Sequence, residues 1–242
     1  MHKSRYKPFY KQFLRLRKNV QDRPKLLRFS RQKWSKLQQQ LKNQLKFYRR
    51  FKIKDQFQLS VLKFASRGNS FQRRYRNLLH EKKIFGLSYG NLKKDLIKKH
   101  VSRSLNYNFA RSSNIDPRSR LLYRLESRLD TVLYRAGFSN SIREATQIIL
   151  HGHILVNQHP IRIKSYTLKN NDLIEVQPSE KARRLVRENL LASNFWPIPP
   201  KHLSINYKTL QILFHYSSDS SQIPVLSSYI NLNSVIAEIR RY

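Results

Sequence analysis

The stretch from Arg120 to Leu150, RLLYRLESRLDTVLYRAGFSNSIREATQIIL, constrains the fold most, because its helical periodicity is the sharpest in the chain. Apolar side chains recur every three or four residues from Leu121 to Ala136, which predicts an amphipathic helix buried along one side. Gly137 is expected to end that helix. Ser141 and Glu144 have the Ser-x-x-Glu spacing of a capping box and indicate the start of a second helix.

Short runs of β-forming residues follow the second predicted helix, at 154–156, 161–163 and 173–176. The first two runs are joined through residues 157–160, and the third follows the polar turn at 170–172. Runs of this kind, bounded by turn residues, are typical of strands. Residues 121–177 therefore predict two helices packed on a small sheet.

Three arginines fall on the first predicted helix: Arg124, Arg128 and Arg135. On one continuous helix they project within roughly 40° of one another, and the apolar stripe is centred roughly 80° away. The nearby acids Glu126 and Asp130 project from other faces. Arg143 begins the second helix, where backbone N–H groups also favour phosphate. The pattern favours a phosphate-binding row of arginines over a solvated face.

Positive charge dominates the chain, since 49 of its 242 residues are Lys or Arg and only 14 are Asp or Glu, for a formal net charge of +35. Residues 1–100 hold 30 of these cations and four of the acids. A compact chain of this charge repels itself, so a polyanion is expected to neutralise it. Nucleic acid is the leading candidate. An anionic membrane surface is the alternative, although no run of 18 or more apolar residues could span a bilayer.

The basic part of the chain also has helical patterns, at 31–53, 71–87, 91–100 and 180–192. The helices predicted at 31–53, 71–87 and 91–100 are amphipathic, and the total charge favours phosphate-facing surfaces for them over solvated lysine faces. The acid-free segment 1–21 fits either a transit peptide or a basic arm lying on nucleic acid. Residues 105–120 read as a linker and 231–242 as a short closing helix. The chain has no cysteine, which excludes disulfides, cysteine-bound zinc and thiol nucleophiles.

One known pattern matches residues 128–166 in order: Arg128-Leu129-Asp130, Arg135, Gly137-Phe138, Ser141, Ala145, His151, Val156-Asn157 and Ser165-Tyr166. This stretch resembles the S4 RNA-binding module. The preceding LHEKKIFGLSYGNL (79–92) and, more weakly, SRYKP near the start and INLNSVIAEIRRY at the end are similar to the small-subunit ribosomal protein S4 family. The family-like SRYKP close to Met1 favours the basic arm. Regions 20–75 and 205–228 diverge, and the cysteine cluster of some relatives is missing.

The resemblance implies an α+β fold, with a mostly helical domain, an inserted S4-type module and a basic N-terminal arm. The expected boundaries are 1–45 for the arm, 119–180 for the module, and 46–118 together with 181–242 for a mainly helical rRNA-binding domain. We expect the two parts of that helical domain to pack together, with the module as an insertion between them.

The resemblance further implies a structural component of the small ribosomal subunit that binds the 5′ domain of small-subunit rRNA and supports assembly and translation. Its expected neighbours are S3- and S5-type proteins, with mRNA at the entrance of its channel and no membrane contact. Abundant Lys, Asn, Ile, Phe and Tyr indicate AT-rich codons, hence an organelle: the mitochondrial matrix, with a plastid as the alternative. The rival interpretations are a free ribosome-associated factor and an RNA-modifying enzyme, because some pseudouridine synthases carry a catalytic Asp in an Arg-Leu-Asp motif like that at 128–130.

Three histidines lie in HGHILVNQHP, but no cysteine and few carboxylates accompany them, so a metal site is not expected. No base–nucleophile pair is present either, and we expect no catalytic residue and no cofactor. By the resemblance, the turn holding His151 and His153 faces RNA, whereas His159 is a hairpin residue. The expected RNA-binding residues are Arg124, Arg128, Arg135, Ser139, Ser141, Arg143, His151, His153, Asn157, Arg162, Lys164 and Tyr166 in the module, and Arg5, Tyr6, Lys7, Lys11, Arg15, Arg17, Arg73, Arg74, Arg76, Lys82 and Lys83 before it. Tyr10, Tyr48 and Tyr75 are, like Tyr6, candidates for stacking on bases.

Overall fold

The structure, a computed structural model, describes residues 10–16, 20, 28–51, 71–105, 117–192, 199–215, 232, 235 and 236, except for the side chains of 44–51, 71–74 and 192. The chain divides into two compact units, Met1–Ser88 with Leu226–Tyr242, and Tyr89–Val225. This division differs from the expected one, because the residues on both sides of the module group with the module itself. Most of the expected linker and closing helix lies outside the described residues.

Among its described residues, the first unit contains three helices: α1 (Tyr10–Leu16), α2 (Ser35–Phe51) and α3 (Phe71–Ser88). A short 3-10 turn at Gln32–Trp34 leads into α2. One apolar cluster joins the three helices, and its buried members are Phe13, Leu16, Trp34, Leu37, Ile84 and Leu87. The helices predicted at 31–53 and 71–87 are therefore confirmed, with small differences at their ends.

The second unit contains five helices among its described residues: α4 (Lys94–Leu105), α5 (Pro117–Glu126), α6 (Leu129–Arg135), α7 (Ile142–Leu150) and α8 (Glu180–Ala192). Helix α4 packs against α5, and α6 packs against α7. The prediction of one continuous helix from Leu121 to Ala136 is wrong, since α5 ends at Glu126 and α6 starts at Leu129. Gly137 ends α6 as predicted, with φ of 78°.

Five short strands form one antiparallel sheet: β1 (Ile154–Val156), β2 (His159–Pro160), β3 (Leu173–Val176), β4 (Leu203–Asn206) and β5 (Gln211–Phe214). Their order is β2-β1-β3-β5-β4. The strands predicted at 154–156 and 173–176 are confirmed, whereas the one predicted at 161–163 is wrong because β2 ends at Pro160. The expectation that 181–242 is mainly helical is also wrong at β4 and β5, which extend the sheet of the module.

One face of this sheet is buried. Ile174 of β3 pairs with Val156 on one side and Ile212 on the other, and all three side chains are at most 2% exposed. Helices α6, α7 and α8 supply the rest of the core, including Leu129, Ile149, and Val186 on α8. Burying aliphatic side chains of this size contributes roughly 1.5–3 kcal/mol each. The fold is α+β, as predicted, and its sheet and helices share one core.

Candidate nucleic-acid interface

The break between α5 and α6 is made by a segment from forty residues further along the chain. Arg128 is extended, with φ of −73° and ψ of 135°. The N–H of Leu129 donates to the carbonyl of Tyr166 at 2.9 Å, and the N–H of Leu168 donates to the carbonyl of Ser127 at 2.8 Å. These two bonds take the place of two hydrogen bonds that a continuous helix would form, and they create an isolated antiparallel β-bridge between Arg128 and Thr167. The segment ending at Thr167 is thereby fixed beside the start of α6.

Two buried ion pairs flank this break. The guanidinium of Arg128 donates to both oxygens of Asp130, at 3.0 and 2.7 Å. That of Arg135 donates to both oxygens of Glu126, at 2.9 and 2.7 Å. The hydroxyl of Tyr89 adds a bond of 2.8 Å to Glu126. The prediction that both acids project away from the arginines is wrong, because the break turns α6 relative to α5.

The charges in this buried group stabilise one another. Burial by itself raises the pKa of Glu126, but the charge and hydrogen bonds of Arg135 more than offset it, so the pKa lies below its ordinary value. Burial likewise lowers the pKa of Arg135, and Glu126 raises it above the ordinary value. Burial and the neighbouring Glu126 raise the pKa of Tyr89 well above its ordinary range. The group therefore consists of a carboxylate, a guanidinium and a neutral phenol.

The predicted row of arginines is consequently wrong as a geometric arrangement. The side chain of Arg135 is only 6% exposed and that of Arg128 is 10% exposed, and each guanidinium is held by a carboxylate. Arg124, half-buried on α5, is the one member of the row without a carboxylate partner among the described residues. Asp130 is just 2% exposed with both oxygens bound by Arg128, an environment unlike that of an accessible catalytic carboxylate.

The start of α7 is a cap built from its own first residues. The Ser141 hydroxyl accepts from the N–H of Glu144 at 3.2 Å, as the capping box predicts. The Glu144 carboxylate accepts from the N–H of Asn140 at 2.8 Å, one residue earlier than the motif predicts. Ser141 thus has a structural role, and Ser139 beside it is buried. Arg143 is exposed in the first turn of α7.

A polar residue that the sequence analysis missed ties α8 to this cap. The side-chain amide of Asn189 donates to the carbonyl of Phe138 at 3.2 Å and to Glu144 at 2.9 Å, and it accepts from Asn140 at 2.6 Å. Asn189 is 8% exposed. Its one signal in the sequence is an Asn on the apolar side of a predicted helix, near Val186. Through these hydrogen bonds, α8 holds the cap at the start of α7, where Arg143 lies.

The turn after α7 brings three of the predicted residues together. Gly152 has φ of 75°, and a Cβ built on it lies 3.3 Å from Nε of Arg162. The rings of His151 and His153 lie 6.0 Å apart. His151 and Arg162 are exposed, whereas His153 is half-buried, and its buried Nδ1 has no hydrogen bond partner within the described part of the chain. This turn is an exposed basic surface around a glycine that leaves room for the arginine.

Asn157 holds a hairpin. Asn157 and Gln158 have φ of 49° and 69°, the positive values of a two-residue hairpin turn between β1 and β2. The Asn157 amide donates to Asp172 at 2.9 Å, and its oxygen accepts from the N–H of Leu173 at 2.9 Å. Both ends of this side chain are therefore used in joining two turns. His159 follows directly and is exposed at the hairpin, where it was predicted.

The remaining module residues lie after the hairpin. Arg162 and Lys164 are exposed, and Tyr166 is half-buried with its ring against the core. The carbonyl of Tyr166 is the one that accepts from Leu129. The segment that breaks the α5–α6 helix therefore also anchors the two exposed cations.

The predicted residues of the first unit are only partly described. On α1, Lys11 and Arg15 are exposed on the side opposite the buried residues Phe13 and Leu16. Tyr10 was a candidate for stacking on bases, but its ring lies 5.1 Å from that of Phe29 within the apolar cluster, so that prediction is corrected.

The other predicted residues of this unit divide into two groups. On α3, Tyr75, Arg76 and Lys83 are exposed and Lys82 is half-buried. The following lie outside the described residues or side chains: Arg5, Tyr6, Lys7, Arg17, Tyr48, Arg73 and Arg74.

The described ranges contain no cluster suited to a metal ion and no membrane-spanning helix. No group of three or more His, Cys, Asp or Glu side chains is arranged to hold a metal ion there. None of the described helices has the length and apolar character needed to cross a membrane.

Comparison with known proteins gives one family and a consistent set of relatives. The S4 domain model matches residues 127–174. Small ribosomal subunit protein uS4m of Marchantia polymorpha is 31% identical over 174 residues, covering 71% of this chain and 84% of that protein. Protein uS4 of Aquifex aeolicus is 36% identical over 112 residues, which is 46% of this chain and 50% of that protein. Protein uS4c of Gracilaria tenuistipitata is 42% identical over 90 residues, 37% of this chain and 44% of that protein. The match thus spans about half of the last two relatives and most of the first.

Proposed function

The chain belongs to the uS4 family of small ribosomal subunit proteins, and from that membership we propose that it is a structural, non-enzymatic component of a small ribosomal subunit that binds small-subunit rRNA. The name of each of these relatives places it in that subunit. The observation that carries the proposal beyond the family is the basic surface of the second unit, where the fold brings Arg162 over the turn of His151 and His153.

The mechanism of attachment follows from charge. With a formal net charge of +35, the chain can replace many counterions of an RNA at once, which gives strong and salt-sensitive binding. In the second unit we assign phosphate contacts to Arg143, Arg162 and Lys164, all of which are exposed. His151 is exposed next to Gly152, against which Arg162 lies, and Tyr75 is exposed on α3. We assign both side chains to unpaired bases.

The finer placement is also part of the proposal. We assign the chain to the 5′ domain of small-subunit rRNA, next to S3- and S5-type proteins and near the entrance of the mRNA channel. We assign it to a mitochondrial small subunit, with the plastid as the alternative, because the uS4m relative aligns over most of its length and the composition is that of AT-rich codons.

The test is co-sedimentation. Organelle subunits are dissociated, washed with high salt and separated on a sucrose gradient, and the chain is quantified against other small-subunit proteins. We expect it to stay stoichiometric with the small subunit and to crosslink to 5′-domain rRNA through the 143–164 surface. Release into the free fractions contradicts the structural role and favours a transient factor or an RNA-modifying enzyme. Purified mitochondria and plastids, run separately, decide the compartment.

A further inference from the structure

Helix α4 corresponds to the basic helix predicted at 91–100, and it has a basic edge whose residues were not among the expected RNA-binding residues. Its buried residues are Ile97, Val101 and Ser104. At 100° per residue, His100 projects at the edge of that buried side, and Lys99 and Arg103 project within about 40° of each other next to it. In agreement, His100 is half-buried and the two cations are exposed. The two cations are one helical turn apart.

Helix α5 brings further cations to the same edge. Helix α4 packs against α5, which carries the half-buried Arg124 and is followed by the break that holds Arg128. Burial and then the positive charges of Arg128, Arg124, Arg103 and Lys99 lower the pKa of His100. Cations from two helices and from the break between α5 and α6 therefore act electrostatically on one imidazole.

Most of this charge is uncompensated within the described part of the chain. Asp130 neutralises Arg128, but Lys99, Arg103 and Arg124 form no ion pair there. Nδ1 of His100 is buried and has no hydrogen bond partner among the same residues. Like charges held this close raise one another's free energy, and an anion bound between them lowers it. The uncompensated charge at the seam therefore favours binding of an anion.

We propose that the seam between α4 and α5 is a second phosphate-binding site for the RNA backbone, formed by Lys99, Arg103 and Arg124 around His100. The inference rests on the proposed rRNA binding and deepens it. Cations spaced one turn apart along a helix edge suit successive phosphates of a strand, whereas a single free phosphate would engage just part of the set. This site adds the surface of α4 to the one formed by Arg143, Arg162 and Lys164.

The experiment measures binding of the full chain to a transcript of the 5′ domain of small-subunit rRNA over a range of salt concentrations. The variant carries Lys99→Gln and Arg103→Gln, both at exposed positions. The matched control carries Lys181→Gln and Arg183→Gln, which remove the same charge from exposed positions on α8 of the same unit. We expect the α4 variant to bind the transcript roughly tenfold more weakly or worse. The slope of log affinity against log salt concentration should become shallower by about 2, and the control should change much less in both respects.

A second variant, Arg124→Gln, tests whether the two helices serve one site. Combined with the α4 variant, it is expected to lose less affinity than the sum of the separate losses, because the groups share phosphates. Thermal unfolding of each variant verifies that it is folded.

The outcomes separate the two proposals. If the wild-type chain does not retain the transcript, the proposed rRNA binding fails. If it binds and the α4 variant matches the α8 control, the seam is no phosphate site, while the proposed function stands.

Discussion

Arg135 and Arg162 both belong to the second unit, but their guanidinium groups lie in opposite environments. Arg135 donates to Glu126 with its side chain 6% exposed, whereas Arg162 lies exposed over the Gly152 turn. Burial of a guanidinium requires a carboxylate partner, and the α5–α6 region supplies two. The 151–164 region supplies no acid, and its cations remain outside. The presence of a carboxylate partner, more than the number of arginines, separates the buried cations from those that stay exposed.

The largest expected effect comes from breaking the buried pair. Replacement of Arg135 by Met leaves Glu126 buried without its cation, so we expect the free energy of unfolding to fall by about 3–5 kcal/mol in urea titrations. Arg162→Met is the matched change at the exposed arginine and is expected to alter stability by no more than about 0.5 kcal/mol. Similar losses in the two variants would remove the distinction between the regions.

For the exposed cations, we expect a loss of RNA affinity without a loss of stability. A variant with Arg162→Gln and Lys164→Gln should bind the 5′-domain transcript roughly 10–100-fold more weakly, with a salt slope lower by about 2, because two phosphate contacts are lost. Its unfolding curve is expected to match the wild type. The α8 variant with Lys181→Gln and Arg183→Gln again serves as the control. An unchanged salt slope would falsify the assignment of these cations to phosphate.

Lowering the pH should reduce the stability of the fold through His202. This residue is 7% exposed, and neither ring nitrogen has a hydrogen bond partner among the described residues. Burial lowers its pKa below 6.5, partly opposed by Glu126. The unfolded chain therefore binds a proton at this side chain more readily than the folded chain does. The stability that depends on a neutral His202 is complete above about pH 6.5 and is lost as the pH falls toward the pKa of His202 in the folded chain.

His202→Leu removes this proton binding and the two unpaired nitrogens. We expect the variant to lose less stability than the wild type between about pH 7 and pH 5, by about 1.4 kcal/mol for each unit by which the pKa is lowered. Urea titrations across that range measure it. His159→Gln, at the exposed hairpin, should keep the wild-type profile; if His202→Leu keeps it too, His202 is not the acid-sensitive group.

The smallest effect is expected at the cap that supports Arg143. Ser141→Ala removes the acceptor for the N–H of Glu144 and should cost about 1 kcal/mol in thermal or urea unfolding. Ser165→Ala, at an exposed position, is the control and should be nearly neutral. Equal behaviour of the two variants would mean that the cap contributes nothing measurable.

Local signals predicted much of this fold. The periodicity of α2, α3, α7 and α8, the capping box at Ser141 and the stop at Gly137 all depend on neighbouring residues, and the structure confirms them. The break at Arg128 was not predictable in this way, because it depends on hydrogen bonds to Tyr166 and Leu168. Without the break, the pairing of Arg135 with Glu126 nine residues earlier could not be inferred, and the row of arginines followed from a helix that does not exist.

The last two strands of the sheet likewise could not be predicted from neighbouring residues. The alternating pattern from Leu203 to Phe214 is weak, and its strand structure depends on pairing with β3 about 40 residues earlier. For the candidate interface, exposure of Arg143, Arg162 and Lys164 agreed with the sequence analysis, whereas Asn157 and Ser141 are engaged in turns and caps. Residue type indicated the chemistry of these side chains, but it did not indicate which of them take part in turns and caps.

The position of β5 beside β3 also sets an order of events during synthesis. The S4 domain match ends at residue 174, yet β3 has a second edge that β5 covers. A nascent chain that has reached α8 therefore holds a half-finished sheet with unpaired N–H and carbonyl groups along β3, an edge prone to pairing with other chains. The hairpin of β1 and β2 thus belongs to a sheet that is completed only after the hairpin of β4 and β5 has left the ribosome.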